Sequence, residues 1–139
     1  MLLVDTGVFV AAADLDDRNH HSCAALIETH PGPLVTTALV ITEAGWLIRR
    51  QLDTTTEAAF YQAIAQGDIT IETLTGGDWG RIAGLIDTYH DAGLDAADAS
   101  IIAIAERLDQ TVIATLDERD FRLVRPAHTD AFDLLPGPS

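Results

Sequence analysis

The chain of 139 residues has no lysine, a single cysteine and no apolar run long enough to cross a bilayer. A transmembrane helix needs about 20 consecutive apolar residues, so we expect no membrane span. With only Cys23 present, an internal disulfide is excluded, and a reducing cytoplasmic location is expected. No basic segment precedes Asp5, so no signal peptide is expected either.

Positive charge is also scarce. Eight arginines stand against 22 Asp and Glu residues, which gives a formal net charge of −14. A protein that coats nucleic acid non-specifically needs the opposite balance, because its cations must replace the counterions of the phosphates. A nuclease remains compatible with this charge if bound cations neutralise the acids locally. An acidic surface also suits a basic protein partner.

Short apolar segments alternate with amphipathic ones along the chain, and we predict one domain over residues 1–139. Strands are predicted at 2–4, 34–37, 69–73, 111–115 and 131–135, the last at a sheet edge. Helices are predicted at 8–17, fading into a loop, and at 19–30, 37–52, 57–66, 78–91 and 97–109. This alternation predicts an α/β fold, a three-layer α/β/α sandwich with a short, mostly parallel sheet covered by helices on both faces.

The segment Asp5-Thr6-Gly7, which ends the first predicted strand, has several chemical interpretations. Aspartic proteases use paired Asp-Thr-Gly loops, but they are all-β proteins, whereas here helices follow. Phosphatases of the haloacid dehalogenase type need a second Asp two residues after the first, where this chain has Gly7. We favour a metal-binding acid at the end of a strand and keep a Mg²⁺-dependent phosphatase as the less favoured alternative.

A second acid is predicted at the same edge of the sheet. Asp117 follows the predicted strand 111–115, and ligands of open parallel sheets bind beyond the carboxyl ends of the strands. Asp is also a favoured helix N-cap, so capping is the alternative role for both Asp5 and Asp117. Because both acids are predicted at the same edge of the sheet, we favour a role in ligand binding and catalysis over capping.

Glu43 occupies an unusual position on the predicted helix 37–52. Its neighbours at helical spacing are all apolar: Leu39, Val40, Trp46 and Leu47. A carboxylate on an apolar stripe is costly unless it is paired or binds a metal. The alternative is a salt bridge to an internal arginine, although Arg49 and Arg50 lie at poor helical offsets. We expect Trp46 and Trp79 to serve packing.

The segment around residue 97 offers two acids, Asp95 and Asp98. Asp95 is well placed to cap the helix that follows, and Asp98 could complete a capping box with it. Asp98 also shares a helix face with Ile101 and Ile102, which would aim its side chain inward. We therefore interpret Asp95 as the cap and Asp98 as the ligand.

Four inward acids from separate segments, Asp5, Glu43, Asp98 and Asp117, would repel one another if left bare. Two unit charges about 4 Å apart interact by roughly 1 to 4 kcal/mol in water or near a protein surface. A divalent cation removes that repulsion. Oxygen ligands without clustered Cys or His favour Mg²⁺ or Mn²⁺ over zinc.

With these acids in place, the chain resembles the PIN-domain family, most closely the VapC-type toxin ribonucleases of toxin–antitoxin pairs. The resemblance covers roughly residues 1–135. Its carriers are the segments "LLVDTGVFVAAAD", "TTALVITEAGWLI", "DAADASIIAIAERL" and "TVIATLDERDF". It implies a PIN-like fold and a Mg²⁺- or Mn²⁺-dependent endoribonuclease that cleaves cellular RNA with Asp5, Glu43, Asp98 and Asp117 as metal-binding catalytic acids.

The resemblance also implies supporting residues. Thr6 and Thr115 match hydroxyl positions that could orient a carboxylate or a bound water, and Ser100 follows the third acid. Asp120 and Asp91 are possible auxiliary acids.

Three arginines follow the last acid. We hypothesise that Arg119, Arg122 and Arg125 hold RNA phosphates near the metal. A salt-bridged surface stretch is the alternative, and replacing Arg122 and Arg125 with Gln tests it through RNA affinity and its salt dependence.

Partners follow from the resemblance as well. A VapB-type antitoxin would bind a hydrophobic groove formed by the helices around 19–30 and 37–66, and a homodimer is expected. A degenerate PIN fold that only binds RNA or protein is the non-enzymatic alternative.

Overall fold

The computed structural model describes residues 1–137, which form five short strands, seven α-helices and one 3₁₀ turn. The strands are β1 (Leu2–Val4), β2 (Leu34–Thr36), β3 (Thr70–Ile71), β4 (Val112–Ala114) and β5 (Asp133–Leu135). The helices are α1 (Thr6–Ala13), α2 (His20–Thr29), α3 (Ala38–Gln51), α4 (Thr54–Ala65), α5 (Gly76–Thr88), α6 (Ala96–Arg107) and α7 (Glu118–Leu123), and the 3₁₀ turn is His90–Ala92.

The five strands form one sheet in the order β3-β2-β1-β4-β5, and every neighbouring pair is parallel. All three residues of β1 are fully buried, which requires cover on both faces of the sheet. The predicted α/β fold is therefore confirmed. The strand order changes direction between β1 and β4, and this switch point is where ligands of open parallel sheets bind.

Helix boundaries differ from the predictions where side chains cap the helices. Helix α4 begins at Thr54 because a carboxylate oxygen of Asp53 accepts a hydrogen bond of 2.7 Å from the backbone N–H of Thr56. Helix α5 begins at Gly76 because Thr75 and Asp78 form a capping box. The predicted starts of these two helices were three and two residues too late, respectively.

One helix was missed. Helix α7 was not predicted, because six residues give too short a pattern to identify a helix by periodicity. Helix α2 begins at His20, and Asn19 before it makes no capping hydrogen bond with its side chain. Within residues 1–137, no helix combines the length and the apolar character that crossing a membrane requires.

The packing of α3 explains why Trp46 is not a core residue. The buried side of this helix runs through Val40, Ala44 and Ile48. Trp46 lies about 200° around the helix from Ala44, and its side chain is 54% exposed. Glu43, about 100° from Ala44, lies at the edge of the buried stripe and is half-buried. The predicted packing role was also wrong for Trp79, which is 50% exposed.

Gly45 on α3 faces the side chain of Tyr61 on α4. A Cβ atom at this position would lie 2.7 Å from Cζ of Tyr61, whose hydroxyl donates a hydrogen bond to Glu57. Because Tyr61 is exposed and can turn away, we expect Gly45→Ala to lower the free energy of unfolding by about 1 kcal/mol, the cost of that hydrogen bond. Urea denaturation of the purified protein measures this change.

Gly84 on α5 provides the matched control. A Cβ atom there meets nothing within 4 Å. Because Ala is the better helix former, Gly84→Ala is expected to raise the free energy of unfolding by roughly 0.5 to 1 kcal/mol. Equal effects of the two substitutions would contradict a steric role for Gly45.

Candidate metal centre

The four acids singled out in the sequence line one cleft of about 370 Å³. Asp5 follows β1 and Asp117 lies three residues after the end of β4, on either side of the switch point of the sheet. Asp98 comes from the first turn of α6, and Glu43 from the middle of α3. The fold thus brings together side chains that are up to 112 positions apart in the chain.

Asp5 and Asp117 are joined through a single hydroxyl group. The Thr115 hydroxyl donates a hydrogen bond of 2.9 Å to Oδ2 of Asp5 and accepts one of 2.9 Å from the backbone N–H of Asp117. Asp5 is 3% exposed and does not cap α1 with its side chain. Capping, the alternative considered for Asp5, is therefore not its role. Asp117 caps α7 through a contact of 3.4 Å with the N–H of Asp120.

Asp95 and Asp98 have separate roles in the first turn of α6. Asp95 is the N-cap, and its Oδ1 accepts a hydrogen bond of 2.8 Å from the backbone N–H of Asp98. The side chain of Asp98 is 4% exposed and lines the cleft. The cap and the inward-facing acid are thus different residues.

Asp120 joins the acids more closely than its sequence position indicates. One carboxylate oxygen from each of Asp98, Asp117 and Asp120 lies within 4.8 Å of the other two. The short helix α7 produces this arrangement, since Asp120 is three residues after Asp117 and shares its face.

Burial and mutual repulsion disfavour the charged forms of these carboxyl groups. Burial raises the pKa of Asp5 to about 6. Burial, together with the charges of Asp5 and Asp95, raises the pKa of Asp98 to about 10. Partial desolvation in the cleft also raises the pKa values of half-buried Glu43 and of Asp117, which is exposed and not inward as the sequence predicted. Without a counter-charge, the cleft therefore retains protons that isolated acids would lose.

The carboxylate oxygens of the cleft suit a divalent cation. Oδ1 of Asp5 and Oδ2 of Asp98 are buried, and within residues 1–137 no N–H or alcohol group donates a hydrogen bond to either atom. Buried carboxylate oxygens are costly when left unpaired, so their natural complement is a cation. Oxygen donors from several carboxylates suit Mg²⁺ or Mn²⁺.

Of the remaining predicted residues, Thr6 lines the cleft, whereas Ser100 and Asp91 do not. The Ser100 hydroxyl donates to the carbonyl of Ala97 and lies 2.7 Å from the hydroxyl of Thr37. Asp91 is on the exposed 3₁₀ turn. Thr37 caps α3, the helix that carries Glu43, and this role was not predicted. A Thr directly before a predicted helix is the sequence pattern that would have indicated it.

The three arginines after Asp117 do not stay together. Arg119 lines a cleft with Asp117, while Arg122 lies 3.8 Å from the carboxylate of Glu118. Arg125 lines a different cleft with residues 126–130. Arg119 and Arg122 are three residues apart on α7 and share a face, whereas Arg125 lies beyond the end of this helix and lines a separate cleft.

Taken together, the fold and the site define an α/β protein with a parallel sheet whose switch point carries an acidic cleft suited to a divalent cation. The family model of the PIN domain matches residues 2–125. The chain belongs to the PIN domain family.

Relatives of the chain carry VapC names. Ribonuclease VapC26 of Mycobacterium tuberculosis is 24% identical over 135 residues, which span 97% of this chain and 100% of that protein. Among solved structures, VapC20 of Mycobacterium tuberculosis, described as a Sarcin-Ricin loop cleaving toxin, has a TM-score of 0.75 at 17% identity, with 81% of this chain and 87% of that chain covered.

A second solved structure covers nearly the whole chain. This structure is VapBC2 from Rickettsia felis bound to a DNA fragment from its promoter. It has a TM-score of 0.66 at 11% identity, and the match covers 96% of this chain and 97% of the VapBC2 chain. FitAcB from Neisseria gonorrhoeae has a TM-score of 0.54 at 18% identity, and the match covers 83% of this chain and 86% of the FitAcB chain. At these identities the structures share the fold with this chain.

Proposed function

We propose that the protein is a Mg²⁺- or Mn²⁺-dependent endoribonuclease of the VapC type and the toxin of a toxin–antitoxin pair. The observation that carries this proposal is the convergence of acids from four separate elements at the switch point, with two buried carboxylate oxygens to which no N–H or alcohol group donates a hydrogen bond. The name of the relative VapC26, a ribonuclease, supports the same activity.

In this proposal Asp5, Glu43, Asp98 and Asp117 hold the cation, and Asp120 assists from α7. When bound, such a cation lowers the pKa of a water molecule and stabilises negative charge on the departing oxygen of a phosphodiester. Thr115 fixes the relative position of the acids that follow β1 and β4. Leu47 and Leu116 form the apolar part of the cleft wall.

The direct experiment incubates the purified protein with total RNA and Mg²⁺ or Mn²⁺, in parallel with EDTA and with the Asp5→Asn variant. We expect cleavage products with 5′-phosphates only when the intact site and the cation are both present. Cleavage that persists in EDTA or in Asp5→Asn would overturn the proposal.

Two alternatives predict different outcomes, one in the RNA cleavage assay and one with a phosphomonoester substrate. A degenerate PIN fold would bind RNA without cleaving it, although the presence of all four acids favours catalysis. A phosphatase would hydrolyse a chromogenic phosphomonoester with Mg²⁺. RNA cleavage without phosphomonoester hydrolysis separates the proposed nuclease from both.

Thr115 offers a test of how the acids are positioned. Thr115→Val removes the hydrogen bonds to Asp5 and Asp117 at nearly constant volume. We expect a loss of about 10- to 100-fold in cation affinity, measured by titration calorimetry with Mn²⁺, because groups that orient metal ligands have effects of this size. Thr115→Ser keeps the hydroxyl and should retain most of the affinity. Equal losses in the two variants would show that the methyl group, not the hydroxyl, matters.

We propose a VapB-type antitoxin as partner, since VapBC2 is among the structural neighbours. Helices α3 and α6 form an apolar hollow of about 520 Å³, lined by Leu39 and Trp46 and bordered by Glu43 and Asp95. An apolar segment with a basic side chain complements this hollow. Calorimetric titration with the product of the adjacent upstream reading frame checks the pairing, and light scattering checks the expected homodimer.

A further inference from the structure

Few of the eight arginines are free to meet an anionic substrate. Four of them pair with carboxylates: Arg49 with Glu57, Arg81 with Glu106, Arg107 with Asp78 and Glu72, and Arg122 with Glu118. Arg50 lies over the ring of Trp46, 5.1 Å from its centroid. Within residues 1–137, Arg18, Arg119 and Arg125 make no ion pair. A chain of net charge −14 must rely on such groups to hold RNA.

Two of these three arginines line the same cleft. Arg18 comes from the loop between α1 and α2, and Arg119 from the first turn of α7, and together they border a cleft of about 330 Å³. The cleft shares Leu116 and Asp117 with the metal centre. Arg125, by contrast, lines a cleft that has no residue in common with the metal centre.

The chemistry of this cleft fits a phosphodiester. Guanidinium groups bind phosphate oxygens through paired hydrogen bonds, and two of them on different elements can hold one phosphate from two sides. Asn19 adds an amide donor to the lining. The carboxylates of Asp117 and Glu118 also border the cleft; the first belongs to the metal centre, and the second lies 3.8 Å from Arg122.

We infer that Arg18 and Arg119 form a phosphate clamp that holds the RNA backbone next to the phosphodiester lying over the acids. This inference rests on the proposed ribonuclease function and adds a substrate-binding site to it. Arg18 is 99 positions from Asp117 in the chain, so its part in the site depends entirely on the fold.

The test measures the affinity for a fluorescent single-stranded RNA by anisotropy at several NaCl concentrations, in the Asp5→Asn background to prevent turnover. We expect Arg18→Gln and Arg119→Gln each to weaken binding by about tenfold. Each should flatten the slope of log Kd against log[NaCl] by about 0.7, and the double variant by about 1.4. Arg18→Lys should keep most of the slope, because the charge remains.

Arg125→Gln is the matched control, because it removes the same charge in a cleft that shares no residue with the clamp. It should leave the affinity and the slope unchanged. An unchanged slope in the double variant, or an equal loss in the control, would overturn the clamp. Thermal melting verifies that all variants are folded.

Cleavage by the otherwise unchanged protein separates the clamp from the proposed function. Arg18→Gln and Arg119→Gln should raise KM about tenfold while kcat stays within about twofold, because the arginines bind substrate away from the reacting bond. If the protein binds RNA through the clamp but never cleaves it, the ribonuclease proposal fails and the clamp stands. If it cleaves RNA and both variants keep their KM, the clamp alone fails.

Discussion

Replacing Asp98 with Asn is expected to reduce RNA cleavage by at least about 100-fold and, at the same time, to stabilise the cation-free protein. The loss of activity follows because a group that only orients a metal ligand already affects function by about 10- to 100-fold, and Asp98 is proposed to be a ligand itself. The gain in stability follows because Asp98 is 4% exposed and lies beside other acids. RNA cleavage assays and thermal melting in EDTA measure the two effects.

Asp91→Asn is the matched control for this experiment, since it makes the same chemical change on the exposed 3₁₀ turn. It should alter neither cleavage nor the melting temperature. A destabilised, inactive Asp98→Asn protein would mean that Asp98 is a structural residue with a partner of its own. Full activity in this variant would remove Asp98 from the metal centre.

The second expected result is that Mn²⁺ or Mg²⁺ stabilises the protein more strongly as the pH rises from 5 to 8. The carboxyl groups of Asp5 and Asp98 have pKa values raised from 3.8 to about 6 and about 10. The folded chain thus binds their protons more tightly than the unfolded chain. Their contribution to stability is present at low pH and declines as the pH rises above about 4.

A bound cation reverses this trend, because it favours the charged carboxylates and displaces their protons. At a cation concentration of 100 times Kd, the stabilisation reaches about 2.7 kcal/mol. For a chain of this length, that corresponds to roughly 8 °C in the melting temperature. Thermal melting at several pH values, with and without Mn²⁺, measures the increment.

The same series in Asp98→Asn provides the control, since one of the two titrating groups is then absent. The rise in melting temperature caused by Mn²⁺ should be smaller in this variant and should lose most of its dependence on pH. An increment that is identical at pH 5 and pH 8 in the unmodified protein would contradict the coupling between protons and cation in this cleft.

The fold could be predicted from the sequence because its main signals are local. Short apolar runs such as Leu2–Val4 and Val112–Ala114 identify buried strands, and alternation with helices indicates a parallel sheet. Helix ends were less accurate, since a cap such as Thr75 differs from an ordinary loop residue only through its hydrogen bonds. Helix α7 was missed because one and a half turns contain too little periodicity.

The candidate site was predictable in its main acids and in part of their surroundings. Asp5 and Asp117 follow strands, and Asp98 lies on an apolar helix face, so each is marked by its immediate neighbours in the sequence. Thr115 and Asp120 were expected beside these acids, and both lie there. Arg18 has no such signal, because its position depends on a cleft formed between segments that are distant in the chain.

Periodicity and charge are properties of neighbouring residues, so the strand and helix order, the negative charge and the acids that interrupt apolar segments can all be identified in the chain itself. Which side chains share a cleft follows from the packing of the elements. That packing places Arg125 in a different cleft from Arg119, brings Arg119 and Arg18 to one cleft, and turns Trp46 towards the surface. Burial and proximity arise when separate elements pack around one sheet, and no local pattern records which surfaces will meet.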